Sequence, residues 1–371
     1  MTKVRLKGYL YIIPFLNGFL IRSESDNEVF IIKGKKASSI LSELIPLLNG
    51  CMSEDEIIEH LKNYDPQYVR KVLNHLKEKK IIEIVPPITL SNEEISRYSL
   101  QLLFFSHFDN LLLQDALKKS KVAIIGLGDI GSQILTSLTL SGIGEIVGID
   151  WNKVTKDNIY QTEFYQSDDI NKVRAEACSE KIKNLNPFVH YTPVSHEIRE
   201  KRDVLPIVED LDFLVVSFDQ ENSSILRLIN DLCLTSKTPW SNCYIEGFKG
   251  VIGPTIIPHQ TACYTCYEIR LSANIRHYKE YLAYKKYRES NDKKMVKFGK
   301  LNAFSSIVAN LMSIEVIKFL TDIRPLTTYG KILTIDFFTM DVEVHSILRF
   351  PRCPKCGIDA RNMPGERVWC E

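Results

Sequence analysis

This chain lacks an excess of charge of either sign. Its 47 basic and 46 acidic residues leave a formal net charge of +1, which argues against a nucleic-acid footprint spread over the whole protein. Long uncharged apolar runs are also missing, and no stretch reads as long enough to span a membrane. At the N-terminus, Lys3, Arg5 and Lys7 precede an apolar run over 9–21. Pro14, Asn17 and Gly18 break that run and no small-residue cleavage site follows, so a hairpin is a better reading than a secretory signal. A disulfide framework is absent too. Four of the nine cysteines form two CxxC pairs, and Cys51, Cys178, Cys233, Cys243 and Cys370 are scattered. That usage fits a reduced, cytoplasmic protein. With 371 residues, 44% of them hydrophobic and 25% charged, there is material for two or three domains with a sizeable core.

The cysteine pairs are Cys263-Tyr-Thr-Cys266 and Cys353-Pro-Lys-Cys356. Two such knuckles far apart in sequence suit one tetrahedral zinc site. Four thiolates leave no open coordination position, so the zinc is expected to be structural. The alternative is a redox pair or chance spacing.

The first 90 residues read as a unit. Asn17-Gly18 between apolar runs signals a hairpin. A short strand is expected over 28–32 and a helix over 37–48, ending at Asn49-Gly50. Ser53-Glu54-Asp55-Glu56 is a capping box that opens a second helix. Asp65-Pro66 opens a third, with Val69, Val72, Leu73 and Leu76 on its apolar side, and a strand over 81–85 closes the unit. The order is that of a small winged helix-turn-helix domain. Such a domain binds DNA phosphates, for which Arg70, Lys71, Lys77, Lys79 and Lys80 would serve. Otherwise it presents a solvated charged face, or takes a peptide as an added strand on the edge of 28–32. These residues alone do not separate the three.

Pro86-Pro87 marks a linker, and a polar helix is expected near 91–101. Val122-Ala123-Ile124-Ile125 then runs into Gly126-Leu127-Gly128-Asp129-Ile130-Gly131, a long apolar helix and a second strand ending at Asp150. This is the fingerprint of a dinucleotide-type βαβ unit, in which glycines let the backbone approach phosphate at a helix N-terminus. Asp150 is placed to accept hydrogen bonds from ribose hydroxyls. NAD is the default ligand of this motif and ATP the rarer one.

Further residues carry a resemblance. Arg97-Tyr98-Ser99, Ser141-Gly142-Ile143-Gly144-Glu145-Ile146, Asp150, Asn158-Ile159, Asp168-Asp169-Ile170 and Val216-Ser217-Phe218-Asp219 stand in the order found in the ThiF/MoeB-like superfamily. These are relatives of the ubiquitin-activating enzymes and adenylate carboxylates. The resemblance spans roughly 93–357 and includes both knuckles. It is strongest to the branch that modifies ribosomally made peptides, which includes the microcin C-type adenylating enzyme and the pantocin A enzyme. In that branch an N-terminal winged helix often recognises a leader peptide. The resemblance therefore favours peptide over DNA for residues 1–85.

The resemblance implies an α/β, Rossmann-like adenylation domain with a zinc knuckle. The expected boundaries are 1–88 for the winged helix, 89–120 for the linker and a helix, 121–357 for adenylation and 358–371 for a tail. It implies that ATP is held at Gly126, Gly128, Asp129, Gly131, Asp150, Asn158 and Gln161, and Mg²⁺ at Asp219. Zinc is implied at Cys263, Cys266, Cys353 and Cys356. Asp219, Arg174 and Lys172 are the implied catalytic groups. Three positions depart in charge or type from the family pattern. Its phosphate-binding arginine is Gln161 here, its lysine aligns with Arg174 beside Lys172, and its partner-subunit arginine aligns with Leu100. Either other cations compensate, or the ATP chemistry is altered or lost. In the last case the chain is a non-catalytic partner that binds the leader and delivers the peptide to a separate cyclodehydratase.

No cysteine lies between Cys266 and Cys353, where ubiquitin-type activators place their thioester cysteine. A sulfur-carrier role is thus disfavoured. The region is basic and aromatic instead, from Arg276 to Lys300, which suits triphosphate or an acidic peptide, or else a solvated face. A helix over 304–320 is apolar around much of its circumference, and the resemblance reads it as part of a homodimer. The resemblance implies an active, cytoplasmic enzyme that uses ATP to activate glutamate side chains of a precursor peptide, leading to dehydrative cyclisation.

Overall fold

A computed structural model of the chain describes residues 3–16, 18–23, 29–85, 89–108, 112–217, 223–289, 299 and 301–357. Asn17, Pro86-Pro87, Asp219, Lys293, Lys294, Lys297, Lys300 and the tail 358–371 lie outside the described residues. The chain divides into two compact units, Met1–Ala116 and Leu117–Glu371.

The first unit holds two three-stranded antiparallel sheets. One consists of Leu10–Phe15, Gly18–Ser23 and Val29–Lys33, with Phe15 paired to Gly18 across the expected hairpin. The other places Lys3–Leu6 between Asn49–Ser53 and Ile82–Val85. Two of these strands correct the sequence reading. Lys3–Leu6 pairs as a separate strand, and Asn49–Ser53 is a strand where only a helix end was expected. Both strands are short and gain their hydrogen bonds from partners more than 40 residues away, so no local pattern marks them.

The helices follow their caps. Lys35–Leu44 passes into a 3-10 turn at Ile45–Leu47. Glu54–His60 starts at a complete capping box, with the Ser53 N–H donating to Glu56 at 2.7 Å. Pro66–Glu78 starts where Asp65 accepts from the Gln67 N–H at 2.9 Å. Ile57, Val69, Leu73 and Leu76 from these helices are buried with Val4, Ile21 and Ile40 in one core. The polar helix expected near 91–101 is two helices, Asn92–Arg97 and Ser99–Ser106.

The second unit is built on an eight-stranded sheet. Its parallel part runs His190–Val194, Glu145–Ile149, Lys121–Ile125, Phe213–Val216, Trp240–Glu246. Three antiparallel strands continue it, Lys249–Ile252, Lys331–Asp336 and Val342–Ser346. Chain order reverses at Lys121–Ile125, whose neighbours are the next strand on one side and Phe213–Val216 on the other. The crevice at such a reversal is where open α/β sheets bind ligands. Val122, Ala123, Ile124 and Ile125 are all fully buried, as expected of a strand covered on both faces.

Helix Asn302–Thr321 corrects one expectation. It is the one described helix long and apolar enough, by length and composition, to cross a membrane. Here it packs against helix Asp129–Ser141 and against the strands Trp240–Glu246 and Lys249–Ile252. It also buries a charge: the Glu315 carboxylate accepts from the Thr328 N–H at 2.8 Å, the Thr328 hydroxyl at 2.7 Å and Lys318 at 2.7 Å. An acid satisfied in this way belongs to a protein core.

Candidate nucleotide site and four-cysteine cluster

The sequence Gly126–Gly131 forms the turn between Lys121–Ile125 and helix Asp129–Ser141. Gly126 has φ 89°, a conformation open to glycine and strained for other residues, and its N–H donates to the Ile149 carbonyl at 2.8 Å. Gly128 is the N-cap of the helix, and no side chain caps the helix there. A Cβ on Gly131 would lie 1.8 Å from the Gly126 carbonyl oxygen. Only glycine therefore allows the helix to start this close to the turn. The outcome is a helix N-terminus at the carboxyl edge of the sheet, fit for an anion. Asp129 sits buried in the first turn.

Asp150 stands at the end of the neighbouring strand and is 2% exposed. Its Oδ2 accepts from the Leu127 N–H at 2.8 Å and from Arg174 Nη1 at 3.3 Å. Its Oδ1 accepts from the Asn152 N–H at 2.8 Å and the Asn152 amide at 3.0 Å. Arg174 Nη2 also donates to Asn158 Oδ1 at 3.1 Å. The structure thus joins Gly126, Gly128, Gly131, Asp150, Asn158 and Arg174 in one site. It does not bring Lys172 to Asp150. That ammonium donates to Asp169 at 3.3 Å. Gln161 ends the helix Lys156–Gln161 and is half-buried. Asp219 lies outside the described residues. Leu100 is 78% exposed on helix Ser99–Ser106 of the first unit.

Three supporting residues were missed from sequence. The Tyr165 hydroxyl donates to the Leu127 carbonyl at 2.6 Å and so braces the glycine turn from below. Burial raises the Tyr165 phenol well above its ordinary range, so it stays protonated as a donor. Cys178 lies beneath it at 3.7 Å, and burial pushes that thiol up to about 12. Lys181 forms an ion pair with Asp169 and donates to the Phe164 carbonyl at 2.5 Å. Burial raises the Asp169 carboxyl, but Lys181, the Gln166 N–H and Lys172 outweigh it and hold the group below the usual range. No motif announces these residues, because their partners are backbone atoms and side chains of other elements.

The four cysteines Cys263, Cys266, Cys353 and Cys356 converge. All are buried, and their sulfurs lie within 4.8 Å of one another. Cys263 is 3.6 Å from Cys353, and Cys266 is 3.4 Å from Cys356. A tetrahedral ion with metal–sulfur bonds of about 2.3 Å separates its sulfurs by about 3.8 Å, so the cluster could hold zinc. Cys263 caps helix Tyr264–Asn274, and Cys266 lies in its first turn. The Phe350 N–H donates to the Cys266 sulfur at 3.3 Å, an outer contact that orients a thiolate ligand. Hydrogen bonds from Cys263 and Cys353 hold the Cys266 thiol below its ordinary range. The basic stretch that follows includes helix Tyr278–Glu289, on which Tyr278, Tyr284 and Tyr287 are exposed.

A model of the ThiF family matches residues 98–357. The molybdopterin-synthase adenylyltransferase of Escherichia coli is 24% identical over 272 residues, 72% of this chain and 98% of the relative. Escherichia coli MccB bound to ATP superposes with a TM-score of 0.66 at 24% identity, covering 96% of this chain and 100% of MccB. The microcin C7 biosynthetic enzyme MccB in complex with N-formylated MccA gives 0.67 at 22%, with the same coverage. PaaA gives 0.66 at 22%, covering 79% of this chain and 96% of PaaA. At these identities the superpositions establish the fold.

Proposed function

The chain belongs to the ThiF family, and from that premise we propose that it is an ATP-dependent enzyme that activates carboxylates of a ribosomally made precursor peptide. The observation that carries the reading is the glycine turn. Gly131 allows a helix N-terminus to face the strand ends, and Asp150 stands beside it for a ribose. A carboxylate is a poor electrophile. Its attack on the α-phosphorus of ATP, with pyrophosphate leaving, gives an acyl adenylate whose AMP departs readily. The helix N-terminus offers N–H groups to the phosphates, and Asp219, next to strand Phe213–Val216 in sequence, is the assigned Mg²⁺ ligand. Arg174 and the basic stretch after Cys266 are the cations we assign to supply what Gln161 and Leu100 lack.

The peptide half of the proposal rests on the first unit. Three helices and the sheet of Lys3–Leu6, Asn49–Ser53 and Ile82–Val85 follow the order of a winged helix. Strand Val29–Lys33 is a sheet edge among the described residues, so an extended leader could add to it by main-chain hydrogen bonds. The complex of MccB with MccA supports a peptide partner, and from the resemblance carried by the sequence motifs we propose glutamate side chains as targets and cyclisation as the outcome. Zinc at the four cysteines would have a structural role. We extend the proposal to a homodimer in the cytoplasm, on the family resemblance and on the free thiols of the described cysteines.

Incubating the full chain with ATP and precursor peptide, then identifying the nucleotide product, tests the proposal. AMP supports adenylation, and ADP would replace it with phosphorylation. An absence of peptide-dependent turnover, with peptide still bound, would replace it with the non-catalytic partner role. Asp219→Ala should abolish turnover and spare peptide affinity.

A further inference from the structure

Asn242 lies on strand Trp240–Glu246, opposite Val216, the last residue of strand Phe213–Val216. Trp240, two residues back, and Val216, one strand across, are buried in the same apolar core. Asn242 is 5% exposed. Its side-chain oxygen is sealed from solvent and accepts no hydrogen bond. A buried acceptor without a donor costs stability that an apolar side chain of the same size would not. Packing therefore gives no reason for a polar residue at this place.

The strand order says what the amide could meet. Asp150 ends strand Glu145–Ile149, the glycine turn follows the neighbouring Lys121–Ile125, and Phe213–Val216 comes next. Ser217, one residue beyond it, abuts that turn: a Cβ on Gly131 would lie 3.7 Å from the Ser217 Cβ. Strands are spaced by about 4.8 Å, so Asn242 stands about 10 Å from the strand of the turn and about 14 Å from that of Asp150. ATP with its ribose at Asp150 and its phosphates at the turn leaves this side of the sheet to the attacking carboxylate. A glutamate carboxylate lies about 4 Å from its α-carbon at bond lengths of about 1.5 Å. The peptide groups beside that carbon then fall near Asn242.

We propose that Asn242 is a specificity-determining residue that grips a peptide group next to the reacting carboxylate, so that the site selects peptide-borne carboxylates over free acids. The inference rests on the carboxylate-activating reading above. A carboxamide offers an acceptor and a donor side by side, the complement of a peptide group. Its terminal torsion is soft, so the amide can turn from its sealed position toward a bound peptide. Being neutral, it holds the substrate without pairing the nucleophilic carboxylate with a cation.

The test is pyrophosphate–ATP exchange by the full chain, driven by N-acetylglutamate N-methylamide or by glutarate, which carries no peptide group. The wild type should favour the amide-flanked acid about tenfold. In Asn242→Leu that preference should fall to about one, with ATP affinity and glutarate exchange unchanged. N242L should also melt at or above the wild-type temperature, an outcome that a structural role for the amide would not produce. Asn242→Ala serves as the reporter if leucine does not fit. An unchanged preference, or melting well below the wild type in both variants, overturns the role and leaves the activating reading intact. A wild type that exchanges with neither acid overturns that reading and this role with it.

Discussion

The two units build their sheets on opposite plans. In the second, the central strands Lys121–Ile125 and Phe213–Val216 are buried on both faces from Val122 onward, and past Lys121 each reads as an unbroken apolar run. In the first, the sheet of Leu10–Phe15, Gly18–Ser23 and Val29–Lys33 has one face in the core and the other in solvent. The solvent face is nevertheless apolar: Tyr11, Ile13, Val29 and Ile31 are exposed by 53%, 42%, 50% and 48%. Strand pairing sets Ile13, Leu20 and Ile31 in one row. A sheet covered on both sides is a rigid platform, and its chemistry is confined to its strand ends. A half-covered sheet with an open edge has surface left over for a partner.

Four measurements would break or sharpen that contrast, taken from the largest expected effect to the smallest. Cys263→Ser should remove one ligand of the cluster and unfold or aggregate the rigid unit, since structural zinc sites contribute on the order of 10 kcal/mol. Metal analysis of the wild type should find about one zinc per chain. A stable, fully active C263S would refute a structural zinc.

Gly131→Ala forces a methyl against the Gly126 carbonyl. It should cost about 2–4 kcal/mol and abolish ATP binding, as read by thermal melting and nucleotide titration. Unchanged ATP affinity would mean that the glycine turn does not hold the nucleotide.

Ile31→Lys addresses the other plan. Stability should stay within about 0.5 kcal/mol, as for most exposed positions, while precursor-peptide affinity drops about tenfold. A large stability loss would show that this face is covered, and unchanged peptide binding would move the leader elsewhere. Repeating the peptide titration at two salt concentrations, with duplex DNA alongside, separates the readings further. Strand addition tolerates salt and phosphate binding does not.

Ser53→Ala removes the hydroxyl from the capping box of helix Glu54–His60. It should lower stability by about 1 kcal/mol in chemical denaturation and leave ATP binding unchanged. A shift in ATP affinity would show that the first unit influences the nucleotide site.

The glycine turn, Asp150 and the capping box at Ser53 were legible in sequence because their signals are local. In each, a few adjacent residues fix a dihedral or cap an N–H group. The strands Lys3–Leu6 and Asn49–Ser53 were not legible, because neither carries a turn signal at both ends. Tyr165, Cys178 and Lys181 were missed for a related reason. What marks each is a partner 12 to 40 residues away, such as Leu127 for Tyr165.

The sequence by itself determined the local parts from which a ligand site could be built. It supplied the glycine spacing, the acid that follows it and two thiol pairs, and these constraints hold over a few neighbouring residues. Only the tertiary structure decided how those parts meet. It brought cysteines 90 residues apart to within 4 Å of each other, and it turned Arg174 toward Asp150. Such contacts depend on strand order and on burial, where a charge left unpaired costs more than the same charge in water. A linear pattern does not encode that balance until the chain has closed on itself.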